Sequence, residues 1–260
     1  MKAHSKKINL KLKLRNREQV IGSWVTLAHA SIPEIMGLAG FDFLVVDMEH
    51  STLDLSETQR LVQVTQSQGL PALVRLGEHN PNLIKRVMDT GADGIIAALV
   101  KTGDEAQAIV DSVKYPPEGK RGVGLARAQK YGQGFAGYKK WLKDKSIVMV
   151  LIEHIEAIEN LEQILEVEGV DGSLIGPYDL SGSLGFPGEF SKLEVKRAIA
   201  RYERVCGTLK KPMGFHVVHP DFVEIKKYLN RGYSFLAVGL DTLYLGQGCN
   251  EVMKKIRRRS

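Results

Sequence analysis

The chain has 260 residues, 43% of them apolar and 25% charged, an ordinary composition for a soluble globular protein with room for one large domain. No stretch approaches the roughly 18 uninterrupted apolar residues of a membrane span, and the lysine-rich start (Lys2, Lys6, Lys7, Lys11, Lys13) lacks the apolar core of a secretory signal, so a cytoplasmic protein is expected. The net charge of +6 belongs to the ends: residues 1–17 carry seven Lys/Arg and residues 254–260 five, with no acid in either, so the remainder is net −6 and offers nucleic acid no basic face.

Residues 1–18 read as a basic N-terminal extension or first helix, solvated, ahead of a single domain over 19–260. The first apolar run, 20–27 (VIGSWVTL), predicts a strand, and Pro33 marks the helix after it. The second, 43–47 (FLVVD), precedes Leu55, Leu61, Val62 and Thr65 at helical spacing. The third, 70–75 (LPALVR), is followed by Asn80 as an N-cap and Pro81 at the first helical position. The fourth, 94–99 (GIIAAL), leads into the helix-like TGDEAQAIV. Residues 115–146 then break the rhythm with YPPEGKRGVGLARAQKYGQGFAGY, a Gly- and Arg-rich connection whose length suggests function and whose composition also fits a disordered insert. The fifth run, 147–152 (IVMVLI), precedes Ile158, Leu161, Ile164 and Leu165 at helical spacing. Runs at 170–175 (VDGSLI), 212–216 (PMGFH) and 235–239 (FLAVG) complete the set, with Pro220 opening a helix before the last.

Runs that are apolar throughout suit strands buried on both faces. Eight of them alternating with helices predict a parallel (β/α)₈ barrel. A doubly wound open sheet is the alternative, but no GxGxxG follows the first strand. Cys206 and Cys249 form no metal-spaced pair and suit a reducing compartment.

In such a barrel the catalytic groups stand at the C-terminal ends of strands. The second run ends on Asp47, with Glu49 and His50 close behind (DMEH). The third ends on Arg75, the fifth on Glu153, and the sixth is followed by Gly176-Pro177-Tyr178-Asp179. Each has a plainer reading. Asp179 is placed to cap a helix starting at Leu180, Glu153 and Arg75 to pair with neighbours, and His50 to be a solvated loop residue. As a set they converge on one rim, where buried charges need partners or a metal. Glu153 and Asp179, from adjacent strands, form an oxygen-rich pair suited to Mg²⁺ or Mn²⁺ rather than zinc; no HExxH and no Cys cluster is present. His154 alternates to the other face of its strand and reads as a supporting residue or helix start. His29, His79, His216 and His219 lie near other strand ends and read as structural or substrate-contacting. Lys101, just past the fourth run, is the candidate for a Schiff-base lysine, with an exposed helix-start residue as its competing reading.

Several motifs in order now carry a resemblance: AGFDFLVVDMEH (39–50), PALVRLGEHNP (71–81), YPPEGKRGVG (115–124), IEHIEAIENLEQIL (152–165), EGVDGSLIGPYDLSGSLG (168–185) and FLAVGLDT (235–242). From about Gly22 to about Leu245 the chain resembles the HpcH/HpaI-type aldolases, metal-dependent enzymes acting on 4-hydroxy-2-oxo acids and 2-keto-3-deoxy sugar acids. The resemblance implies a pyruvate-type (β/α)₈ barrel with an exchanged C-terminal helix, assembled as a hexamer. It implies Glu153 and Asp179 as ligands of Mg²⁺ or Mn²⁺ (Co²⁺ being a further candidate), His50 as the base with Asp47 behind it, and Arg75 on the pyruvyl oxygen. It places Gly176, Pro177 and Tyr178 at the pyruvate carboxylate, held through backbone N–H groups.

The implied reaction is reversible cleavage of a 4-hydroxy-2-oxo acid into pyruvate and an aldehyde through a pyruvate enolate. A citrate-lyase-like, CoA-ester lyase or oxaloacetate decarboxylase activity is the alternative, as is a silent sugar-acid binding barrel. The chain departs from the better-known members at Leu151, where they carry Gln, in the run 95–100, which lacks their Pro, and in GLARAQKYG after the Arg-Gly motif. The apolar positions Leu243, Leu245, Val252 and Ile256 predict a buried face on the last helix, one the resemblance assigns to a partner chain.

Overall fold

The structure is a computed structural model, and it describes residues 8–257. Its eight strands are β1 (Val20–Val25), β2 (Phe43–Asp47), β3 (Ala72–Leu76), β4 (Gly94–Ala97), β5 (Ile147–Ile152), β6 (Gly172–Ile175), β7 (Met213–Val217) and β8 (Phe235–Leu240). All neighbours pair in parallel in chain order, and β8 pairs back onto β1. That closing pair excludes the open doubly wound sheet.

The helices are α1 (Leu10–Arg15), α2 (Ser31–Leu38), α3 (Leu55–Ser67), α4 (Pro81–Asp89), α5 (Gly103–Val113), α6 (Phe135–Lys145), α7 (Ile155–Glu159), α8 (Leu161–Glu166), α9 (Pro177–Ser183), α10 (Leu193–Leu209), α11 (Phe222–Asn230) and α12 (Asp241–Arg257). Their starts are locally encoded. Asn80 accepts from the N–H groups of Asn82 and Leu83 with Pro81 at the first position, and Asp54 and Glu57 close a reciprocal capping box on α3. His154 caps α7, as its sequence position suggested.

Two strands stop short of the predicted runs, each because a side chain takes over their backbone groups. The N–H groups of Thr26 and Leu27 donate to the Asp241 carboxylate (2.7 and 2.8 Å), which ends β1. Beyond β4, Leu99 adopts a left-handed conformation (φ 54°) and its N–H donates to Glu153.

Side chains alternate across each strand. Trp24, Phe43, Val45, Leu73, Ile96, Leu151, Leu174 and Ala237 form the barrel interior, while their neighbours form the larger layer against the helices. Phe43 stacks on Phe235 at 4.3 Å inside the barrel. Gly22 leaves room for this pair, since a Cβ there would lie 2.4 Å from the Phe43 ring. Continuing the alternation to the strand ends points Asp47, Arg75, Glu153 and His216 into the mouth.

Two expectations need correction. The basic N-terminal stretch is not simply solvated: Leu10 and Leu14 of α1 join the interior cluster. The ammonium of Lys11 is buried against Asp171 (2.7 Å) and the Ser146 carbonyl, and Lys13 reaches Asp42 at 2.8 Å. Burial of a lysine stem demands such partners. Lys2, His4, Lys6, Lys7 and residues 258–260 lie outside the described residues.

The Arg-Gly segment 115–146 is ordered, not a disordered insert, and it runs from the end of α5 to the start of β5, at the N-terminal face away from the mouth. Its Arg121 is 3% exposed and donates to the Val113 carbonyl and to the hydroxyls of Tyr115 and Tyr138. Arg127 donates to the Thr90 carbonyl and Gln66. These arginines organise the loop itself.

Candidate functional site

Asp47 and Arg75 are register partners on β2 and β3, so their inward side chains meet. Arg75 Nε and Nη2 donate to the two Asp47 oxygens, a bidentate pair. Nε also lies 3.3 Å from Glu49 Oε2, while Nη1 makes no hydrogen bond among the described residues. The guanidinium lies over the Trp24 ring at 4.3 Å, a cation–π contact that fixes its plane. The Trp24 indole N–H is buried without an acceptor among the described residues.

Asp47 Oδ1 also accepts from the N–H groups of Glu49 and His50. Burial raises the Asp47 carboxyl, but Arg75 and these two N–H donors outweigh it and hold the group below the usual carboxylate range. Among the described residues the Asp47 carboxylate bonds Arg75 and these two N–H groups, and makes no hydrogen bond to the His50 ring. The carboxylate near that imidazole is Glu49, with Oε2 at 3.8 Å from Nε2. Glu49 is itself raised by burial, against the opposing charges of Arg75 and His50. The position of Glu49 within DMEH predicts no role for it. Its proximity to both Arg75 and His50 depends on how the loop after β2 turns.

Glu153 follows β5 and is 7% exposed. Its Oε1 accepts from the Leu99 N–H at 2.7 Å. Burial pushes its carboxyl up to about 7; the Leu99 N–H opposes this, while Glu49 and Asp179 reinforce it. Three carboxylates thus repel one another across the mouth, a field that a cation would relieve. Gly176 keeps the pocket open, because a Cβ there would lie 2.8 Å from Glu153 Oε2.

Asp179 occupies the first turn of α9, which begins at Pro177 and not at Leu180, and it makes no capping hydrogen bond. Among the described residues no cluster of three or more His, Cys, Asp or Glu is placed to hold a metal. Glu153 and Asp179 line one cavity, and a cation between two such carboxylates would have its remaining positions open to water and substrate. Hard oxygen-loving cations accept that arrangement.

The Gly176 N–H was expected to be free for a substrate carboxylate. Instead it donates to the Ile152 carbonyl at 3.0 Å, continuing the β5–β6 ladder. Pro177 has no N–H, so the open donors are those of Tyr178 and Asp179, which lack intrahelical acceptors at the start of α9. Tyr178 is 62% exposed and packs edge-on against Phe190. Lys101 has its backbone tied to Glu105 and Asn160 at the start of α5 and does not line the mouth cavity.

His216 faces Trp24 (ring centroids 5.4 Å) and lies 3.3 Å from the Gly239 carbonyl. Burial drives its pKa down to about 4; the Gly239 carbonyl opposes this and the Arg75 charge adds to it. His216 is neutral at working pH. Because its folded value lies below the ordinary 6.5, the unfolded chain binds more protons between pH 6.5 and 4. Stability should fall as pH falls through that window, by about 3 kcal/mol at most. Urea midpoints at pH 7 and pH 4.5 should show the drop in the wild type and a smaller one in His216→Asn. Equal drops would remove His216 from the explanation.

The comparisons agree with this geometry. Residues 20–246 match the family model of the HpcH/HpaI aldolase/citrate lyase proteins. The chain is 37% identical over 235 residues to the 2-keto-3-deoxy-L-rhamnonate aldolase of Escherichia coli O157:H7, covering 90% of this chain and 87% of that one. A HpcH/HpaI aldolase/citrate lyase family protein from Burkholderia cenocepacia J2315 superposes with a TM-score of 0.90 at 28% identity, covering 96% and 99% of the two chains. The HpcH/HpaI aldolase from Desulfitobacterium hafniense DCB-2 does so with a TM-score of 0.87 at 29% identity, covering 96% and 97%. On the closed barrel, the family model matched over residues 20–246 and the 37% identical relative, the chain belongs to the HpcH/HpaI aldolase/citrate lyase family.

Proposed function

We propose that this chain is a metal-dependent aldolase of 2-keto-3-deoxy sugar acids, releasing pyruvate and an aldehyde, with 2-keto-3-deoxy-L-rhamnonate or a close analogue as substrate. The observation that carries the reading is one cavity lined by Glu153 after β5, Asp179 in the first turn of α9 and the Asp47-anchored Arg75. Mg²⁺ or Mn²⁺, with Co²⁺ a further candidate, would be held by Glu153 and Asp179. When bound, the cation supplies Lewis acidity toward the keto oxygen and carboxylate of pyruvate.

The chain's own groups do the rest. The unpaired Nη1 of Arg75 meets the keto oxygen as its charge grows. The Tyr178 and Asp179 N–H groups orient the substrate carboxylate. His50, after β2, stands opposite β6 in the eight-membered ring and takes the proton, from the pyruvate methyl in addition and from the C4 hydroxyl in cleavage. Glu49 stabilises the imidazolium that forms. Leu151 faces the interior where better-known members carry Gln, which makes that corner of the pocket apolar.

The test is proton exchange at the pyruvate methyl in D₂O with Mn²⁺ or Mg²⁺, followed by an aldehyde screen read by product mass. Exchange that persists unchanged after exhaustive chelation, or oxaloacetate decarboxylation with no aldol cleavage, would overturn the reading.

Assembly follows from the last helix. On α12 Leu245, Val252 and Ile256 are 62%, 56% and 57% exposed while Leu243 is half-buried, so most of the predicted apolar face does not pack on its own barrel. Ile35 and Leu38 on α2 and Phe222 on α11 are exposed as well. Exposed apolar surface of this extent marks an interface, and an exchanged α12 in a hexamer would cover it. Light scattering should give an oligomer that Leu245→Lys with Ile256→Lys disperses; a monodisperse wild-type monomer would refute the assignment.

A further inference from the structure

Leu99, just past β4, holds a left-handed backbone (φ 54°) that residues with a side chain rarely adopt. Its side chain is 43% exposed, so packing of that side chain does not by itself select the conformation. Hydrogen bonds around it do. The Ala98 N–H donates to the Leu76 carbonyl at 3.0 Å, His79 Nε2 donates to the Ala98 carbonyl, and the Leu99 N–H donates to Glu153 Oε1 at 2.7 Å. The last two bonds belong to a single peptide group. A trans peptide points its C=O and its N–H in opposite directions. The Ala98–Leu99 unit therefore links His79, in the loop after β3, to Glu153, after β5.

Among the described residues the Leu99 N–H is the one hydrogen-bond donor to the Glu153 carboxylate, and the Ala98 carbonyl is the one hydrogen-bond partner of the His79 ring. Strand position brings Glu153 to the mouth but leaves its side-chain rotations free. The Leu99 N–H removes that freedom by fixing Oε1, which leaves Oε2 on the side of Gly176. This N–H stays aimed only while the peptide keeps its tilt, and His79 is the side chain that grips its other end. Hydrogen bonds at the two ends of one amide also polarise and strengthen each other. A histidine that merely closed the loop between β3 and α4 could grip any carbonyl. His79 grips the one in the strained turn that touches Glu153, and strain of this kind persists where function holds it in place.

We infer that His79 is a positioning residue for Glu153, orienting its carboxylate toward the cation through the Ala98–Leu99 peptide. The assignment rests on the metal-dependent aldolase reading and deepens it by extending the cation site to a side chain two strands away from the ligand it serves.

The experiment measures Mn²⁺ affinity of the substrate-free protein by calorimetric titration. His79→Phe keeps a ring and loses the donor, and His79→Leu repeats the loss with a smaller side chain. His79→Gln keeps an N–H at a similar reach. The expected result is a Kd weakened roughly tenfold in His79→Phe and His79→Leu, the lower end of what a partner behind a metal ligand contributes, and a Kd near wild type in His79→Gln. Pyruvate methyl exchange should fall in the two donorless variants at limiting Mn²⁺ and recover at saturating Mn²⁺, because Arg75 and His50 are untouched. Asn80→Ala is the control for a loosened loop. It removes the cap of α4 and should lower the melting temperature, yet it leaves the Ala98 carbonyl gripped and should bind Mn²⁺ as wild type does.

Wild-type affinity in the donorless variants, an equal loss in His79→Gln, or a matching loss in Asn80→Ala would each overturn the positioning role while leaving the aldolase reading intact. A wild-type protein that binds no Mn²⁺ overturns the metal assignment and the role of His79 with it.

Discussion

Replacing Glu153 by Gln or Asp179 by Asn is expected to abolish tight Mn²⁺ binding and to cut pyruvate methyl exchange by at least ~10²–10³-fold, the usual cost of removing one electrostatic stabiliser from a site. The fold should survive. Glu153 is buried with its carboxyl raised to about 7, so the charged form is held at a cost that the repulsion from Glu49 and Asp179 increases. A neutral isostere removes that cost and still offers an oxygen to the Leu99 N–H. Thermal melting of metal-free Glu153→Gln should therefore match or exceed wild type while metal binding is lost. Gly176→Ala should copy the loss by a different route, since its Cβ would intrude on the Glu153 carboxylate. Wild-type calorimetric titration by Mn²⁺ in any of the three variants would place the cation elsewhere.

The second large effect concerns the proton. His50→Ala should leave Mn²⁺ and pyruvate affinity close to wild type and slow methyl exchange by ~10²–10⁴-fold, the worth of a positioned base. The neighbouring carboxylates should now separate. Glu49→Gln removes the group beside the imidazole, so it should lower the exchange rate and shift its pH profile. Asp47→Asn removes the bidentate partner of Arg75 and weakens the turn through Glu49 and His50. It should therefore raise the KM for pyruvate as well as lower the rate. A His50→Ala variant that exchanges at the wild-type rate, or that loses metal in step with activity, would assign the imidazole another role.

The contrast between these two carboxylates shows where local sequence information stops. The eight strands were legible because each is a short apolar run buried on both faces, and the starts of α3 and α4 because their caps lie within four residues of what they cap. The rim residues were legible too: strand-end position and two-residue alternation direct Asp47, Arg75 and Glu153 inward whatever the rest of the chain does. What these groups touch was not. Asp47 meets Arg75 because β2 and β3 pair in one register, and Glu153 meets the Leu99 N–H because the turn after β4 folds back in a left-handed conformation. Lys11 is buried because it meets Asp171, 160 residues away and immediately ahead of β6. Likewise the exposed apolar positions of α12 arise from how that helix settles on the closed barrel. Which side chains stand at the mouth follows from periodicity, a property of neighbours along the chain. Their partners do not, because hydrogen bonds and charge pairs form between residues whose distance is set by barrel closure and strand register.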